Sequence, residues 1–206
     1  GFRVTVKELL FALKNRQFAL VFLIMIMTGA LTGVTANISI YMTTFFWGLN
    51  TEDLRWFVLS AMGAVLAFPL VALIQVKWDK KQILLLCAYA SLFDGIVLVL
   101  LRFANVLPNN GDPLLLVILV SAGVFAAGIA VVQGIISASV LADILDDHEL
   151  RTGMRQEGMF YAAISFSGKA VSSIGIVMGG LIISAIQFPT NTAPGEVPQD
   201  LIFKLG

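Results

Sequence analysis

At 206 residues, 58% of them hydrophobic and 13% charged, with a mean hydropathy of +0.92, the chain is too apolar for a soluble domain and reads as a membrane protein. Thirteen basic and thirteen acidic residues cancel, which removes the charge excess that would suggest a nucleic-acid partner. Cys87, the one cysteine, lies in an apolar run, cannot form an internal disulfide and reads as packing. The chain opens on Gly1 without a short apolar core and small-residue cleavage site, so no signal peptide is expected and the sequence reads as part of something longer.

In chain order, residues 1–16 come first. Within "VTVKELLFALKNRQF", Leu9, Leu10 and Leu13 share one helical face with Lys7 and Lys14 off it, as in a cytoplasmic interfacial helix. Long runs poor in charge follow, and a hydrocarbon core needs roughly 20 apolar helical residues to be crossed. Five spans are expected, at about 17–47, 56–76, 82–101, 113–142 and 158–188. The runs do not alternate polar with apolar residues, which excludes barrel strands. The expected fold is an all-α polytopic transmembrane bundle.

Lys and Arg counts orient it, because cytoplasmic loops retain positive charge. Arg3, Lys7, Lys14 and Arg16, then Lys77, Lys80 and Lys81, then Arg151 and Arg155 fall on one side, against Arg55, Arg102 and Lys204 on the other. The N-terminus is expected inside and the C-terminus outside. The closing "EVPQDLIFKLG" reads as the entry to a sixth span that is cut off.

Small residues recur within the spans. Gly29, Gly33, Asn37 and Tyr41 repeat every four residues in the first, Gly175 and Gly179 in the fifth, and Gly123, Ala127, Ala130, Gly134 and Ala138 enrich the fourth. Such stripes let backbones approach closely where no hydrophobic effect drives helices together. Pro69 frees a backbone carbonyl in the second span and is expected to bend it.

Two charges lie deep in the spans: Lys169, twelve residues past Glu157, and Asp94, twelve past Gln82. Each is about 18 Å from the cytoplasmic end at 1.5 Å per residue, near the midplane. A lone charge there costs at least about 2.5 kcal/mol. Each either has a structural partner, the other charge being one candidate, or faces a polar cavity. For Lys169 the cavity is the better reading, and for Asp94 the structural partnership.

Residues 142–158, "ADILDDHELRTGMRQEG", hold five acids, two arginines and His148. Asp143, Asp146 and Asp147 crowd a helix C-terminus, where the macrodipole disfavours acids. Asp147 and Arg151 stand at the favourable i, i+4 spacing, Gly153 can end the helix, and Glu157 suits the first turn of the next. This excess of charge points to ion pairing at a cytoplasmic gate, with an ordinary solvated loop as the alternative. His148 reads as a solvated loop residue, and no second ligand suggests a metal.

That stretch, followed by "MFYAAISFSGK", resembles the signature joining the tenth and eleventh helices of the glycoside-pentoside-hexuronide:cation symporters, the melibiose-permease-like branch of the major facilitator superfamily. "LKNRQFALVFL" is similar to the family's entry into its seventh helix. "VKWDKKQ" occupies the loop between the eighth and ninth, without the glycine usual there. The resemblance covers nearly the whole chain and implies helices seven to eleven of twelve in a major-facilitator-like half.

Its implications attach to matched positions. Asp143, Asp146, Glu149, Arg151, Gly153, Arg155 and Glu157 match the loop signature, with Asp147 in the same acidic run. Lys169 matches a lysine near the sugar and cation sites, and Ser165, one turn earlier, would face the same cavity. Asn37 and Gln133 complete the solute and cation-site candidates. Gly134 stands where melibiose carriers place an aromatic residue near the sugar, so their substrate does not transfer. Asp94 falls on a helix that is peripheral in that fold. The implied function is symport of a sugar-like solute with Na+ or H+ by alternating access at the plasma (inner) membrane. The partners are the solute, membrane lipid and the missing N-terminal half. No cofactor or metal is expected, and no enzyme, since no catalytic cluster occurs within the spans. A carrier of a lipid or organic anion, or a non-transporting sensor or assembly protein, are the alternatives.

Overall fold

A computed structural model describes residues 16–153 and 157–189, together with 197–198, 201–202 and 204–205. The expected interfacial helix over residues 1–16 and the side chains of His148, Arg151 and Arg155 lie outside the described residues, save the backbone of Arg16. Among the described residues there is helix and no strand.

The first helix, α1 (Arg16–Tyr41), passes into a π-helical turn over Met42–Phe46. Next, α2 (Thr51–Gln75) begins where Asp53 accepts a hydrogen bond from the Asn50 amide at 2.9 Å; Glu52 and Asp53 suit the positive end of the helix. A 3₁₀ stretch, Arg55–Ser60, follows within α2, and Pro69 is carried inside the α-helical part, Ala61–Gln75.

A third helix, α3 (Lys80–Phe103), starts at Asp79, whose amide donates to Gln82 Oε1 at 3.2 Å in a capping box. After it, α4 (Pro113–Thr152) opens with proline at its first position, while Asp112 Oδ1 accepts from the Leu114 amide at 2.8 Å. At 40 residues it is about 60 Å long, twice a bilayer's hydrocarbon thickness. It stops at Gly153, whose φ of +70° needs no Cβ and whose amide returns to the Glu149 carbonyl at 2.8 Å. The last long helix, α5 (Glu157–Ala185), begins on the acid that favours a helix start.

The chain divides into two compact units, Trp47–Ala142 and the segments on either side of it. In the Trp47–Ala142 unit, Ala67 and Val71 of α2, Ile83 and Cys87 of α3, and Ile129, Val132 and Ile136 of α4 form one buried cluster. Gly63 permits it: a Cβ there would overlap the Val124 carbonyl, so α2 and α4 meet backbone to backbone. Cys87 is buried in that cluster, as its apolar setting implied.

In the other unit α1 lies along α5. A Cβ on Gly33 would overlap the Ser172 carbonyl and come within 2.9 Å of the Gly175 Cα; one on Gly175 would overlap the Ala30 carbonyl. Farther along, Gly179 meets Asn37, and Tyr41 packs edge-on against Phe188 at 5.6 Å between centroids. The four-residue stripe read from the sequence is therefore the seam between these two helices.

Among the described residues, four helical stretches are long and apolar enough to cross a membrane: Thr51–Gln75, Lys80–Phe103, Pro113–Asp147 and Gly168–Ala185. Large apolar side chains are exposed along them, among them Phe68, Leu73, Phe93 and Leu181. In water such faces would aggregate; in lipid they are solvated.

Candidate functional site

The α5 seam leaves another strip of that helix uncovered. Ser165, Lys169 and Ser173 follow one another at i, i+4 and i+8, a spacing that stacks them along one side. All three are exposed. Ser173 Oγ donates to the Lys169 carbonyl at 2.9 Å, an internal helix bond that consumes its proton locally. The Lys169 ammonium has no hydrogen-bond or ion-pair partner among the described residues. Its neighbour Gly168 lies at the seam, its carbonyl 3.8 Å from where a Cβ on Gly29 would stand. The lysine is thus carried on a part of α5 held close to α1, with its side chain exposed.

Asn37 has a defined role in the seam, where its Nδ2 donates to the Ile176 carbonyl at 2.9 Å. One of its donors is therefore used in joining helices. Gln133 is half-buried on α4, in the Trp47–Ala142 unit, whereas Asn37, Ser165 and Lys169 belong to the other. Asp94 is also half-buried, on α3 of the Trp47–Ala142 unit.

At the end of α4, Leu141, Ile144 and Leu145 are buried while Asp143, Asp146 and Glu149 are exposed and Asp147 is half-buried. The helix has become amphipathic there, which is how it carries acids beyond the apolar length that a bilayer can hold. Glu157, half-buried, opens α5. Among the described residues no three His, Cys, Asp or Glu side chains gather as a metal site requires.

Two features escaped the sequence reading. Tyr41, Phe45 and Phe188 form an aromatic cluster beside the π-helical turn, with Phe45 and Phe188 edge to face at 5.0 Å. Arg102, counted only as a charge, donates through Nη1 to the Pro108 carbonyl at 2.7 Å and through Nη2 to Asn110 Oδ1. Asn110 in turn packs against Gly48, so one arginine ties the loop after α3 to the loop before α2.

Long apolar helices with lipid-compatible faces, joined by glycine seams, define an integral membrane helical bundle. The chain matches the family described as MFS/sugar transport protein over residues 4–205, and it belongs to that family. This agrees with the melibiose-permease-like resemblance of its loop signature. It is 31% identical over 192 residues to the uncharacterized symporter sll1374 of Synechocystis sp., covering 92% of this chain and 33% of that protein. It is 28% identical over 181 residues to the uncharacterized symporter YnaJ of Bacillus subtilis, covering 87% of this chain and 36% of that protein. The chain therefore spans about a third of the length of these relatives. No solved structure matches it.

Proposed function

We propose that the chain is the C-terminal-half portion of a secondary transporter that carries a sugar or sugar-like solute together with Na+ or H+ by alternating access in the plasma membrane. The observation that carries this reading is Lys169: an exposed ammonium twelve residues into α5, without a hydrogen-bond or ion-pair partner among the described residues and on the same side as Ser165, in a member of a sugar-transport family. Lys169 and Ser165 face the solute and cation path, and the remaining polar valence of Asn37, in the same unit, contributes to it. The N-terminal half supplies the opposing wall. Asp143, Asp146, Asp147, Glu149, Arg151, Arg155 and Glu157 form ion pairs of a cytoplasmic gate, and the residue 1 end is cytoplasmic. Because Gly134 stands where melibiose carriers place an aromatic residue, melibiose itself is not carried over as the solute.

The test is uptake by the full-length protein in sealed vesicles, with a panel of labelled sugars and imposed Na+ or H+ gradients. Accumulation of a sugar that depends on one gradient and is lost in Lys169→Met supports the proposal. Gradient-independent behaviour with every sugar, or uptake unaffected by Lys169→Met, overturns it.

A further inference from the structure

The Trp47–Ala142 unit carries an apolar groove of about 380 Å³ bounded by α2, α3 and α4, open on one side and lined almost wholly by carbon. Along α2 it runs from Gly63 to Ile74, eleven residues or about 16 Å, close to the hydrocarbon depth of one bilayer leaflet. One end is reached by Ile74 of α2 and Ile83 of α3. Immediately beyond those residues the α2–α3 loop holds Lys77, Trp78, Asp79, Lys80 and Lys81. Lys77, Trp78 and Lys81 are exposed, and Asp79 serves as the N-cap of α3, its carboxylate set against a positive helix end.

We infer that this groove and loop form a binding site for one anionic phospholipid, an acyl chain lying along Ile74, Leu70 and Leu66 while Lys77 and Lys81 hold the headgroup phosphate. Three things select that occupant. The groove's length fits one leaflet, its end abuts a cluster of basic residues, and an exposed Trp at the same level suits the interface between headgroups and hydrocarbon. A neutral protein segment would fill the groove without using the lysines. The inference stands independently of which solute is carried.

The experiment is native mass spectrometry of the full-length protein in detergent, titrated with phosphatidylglycerol or phosphatidylcholine. Wild type should retain phosphatidylglycerol preferentially. Lys77→Gln/Lys81→Gln should weaken phosphatidylglycerol binding roughly thirtyfold, to the phosphatidylcholine level, while Lys77→Arg/Lys81→Arg keeps it. Ala90→Phe, which fills the groove, should reduce both lipids in protein whose melting temperature shows it folded. Should that variant not fold, the exposed lysine pair decides alone. Equal retention of the two lipids by wild type, or unchanged phosphatidylglycerol binding in the Gln variant, overturns the site. Undiminished binding in folded Ala90→Phe does so too, and assigns the groove to another part of the protein.

Discussion

The side-chain nitrogen of Asn37 donates a hydrogen bond to the carbonyl oxygen of Ile176 at 2.9 Å, joining helices that are 139 residues apart in sequence. Interhelical hydrogen bonds in membranes average only about 0.6 kcal/mol. Asn37→Ala is therefore expected to lower the melting temperature of the full-length protein by a few degrees at most. If its remaining polar valence also serves the solute path, the same variant raises KM for uptake; an unchanged KM confines Asn37 to the seam.

Gly33 and Gly134 predict opposite outcomes for the same chemical change. Gly33→Ala forces a methyl into the Ser172 carbonyl, so α1 and α5 must separate, at a cost of about 1–3 kcal/mol and a reduced folded yield. Gly134→Ala meets open space and is expected to leave the melting temperature unchanged or slightly raised, since alanine favours the helix by about 1 kcal/mol. Thermal melting of both variants, followed by size-exclusion profile, checks the pair.

Lys169→Met keeps the bulk of the side chain and removes its charge. Coupled uptake is expected to fall to background while membrane insertion and folded yield stay at wild-type levels, because the ammonium makes no structural bond among the described residues. A drop in folded yield that Asp94→Asn restores would instead make the two residues structural partners.

Replacing Arg151 and Arg155 by Gln is expected to change the rate of transport more than the affinity for solute. A gate pair biases the equilibrium between inward- and outward-facing states and leaves the binding site intact. Uptake kinetics beside equilibrium solute binding separates the two, and a strongly weakened affinity at unchanged rate would place the arginines at the site.

Thr152→Cys is expected to react with a membrane-impermeant thiol reagent only from the cytoplasmic side, and Asn109→Cys only from the outside. Labelling in intact cells against inverted vesicles reads this directly, and the reverse pattern refutes the charge-based orientation.

The glycine stripe of α1 was legible because a seam between membrane helices demands small residues at a fixed helical spacing, and Gly29, Gly33 and Asn37 display it without any tertiary information. The stop at Gly153 and the start at Glu157 were legible for an equally local reason, a left-handed cap and a helix dipole. Charges delimit apolar runs and not helices, so α2 begins at Thr51, before Arg55, whose guanidinium lies over the Trp56 ring at 5.6 Å. The π-helical turn at Met42–Phe46 has no sequence signature of its own. Phe188 joins Tyr41 and Phe45 only because of the path the chain takes after α5. At the candidate site, the shared side of Ser165 and Lys169 follows from helical spacing, whereas nothing in the sequence around Gln133 indicates what it faces.

The seam between α1 and α5 also has a history within each molecule. At a synthesis rate of about 5–20 residues per second, the 139 residues that separate Asn37 from Ile176 take roughly 7 to 28 s to appear. Throughout that interval α1 is already made, yet its glycine face has no helix to receive it and its asparagine lacks the Ile176 carbonyl. A nascent α1 must therefore be sheltered by lipid, by the insertion machinery or by an earlier helix, and the first helix described here is among the last to find its place.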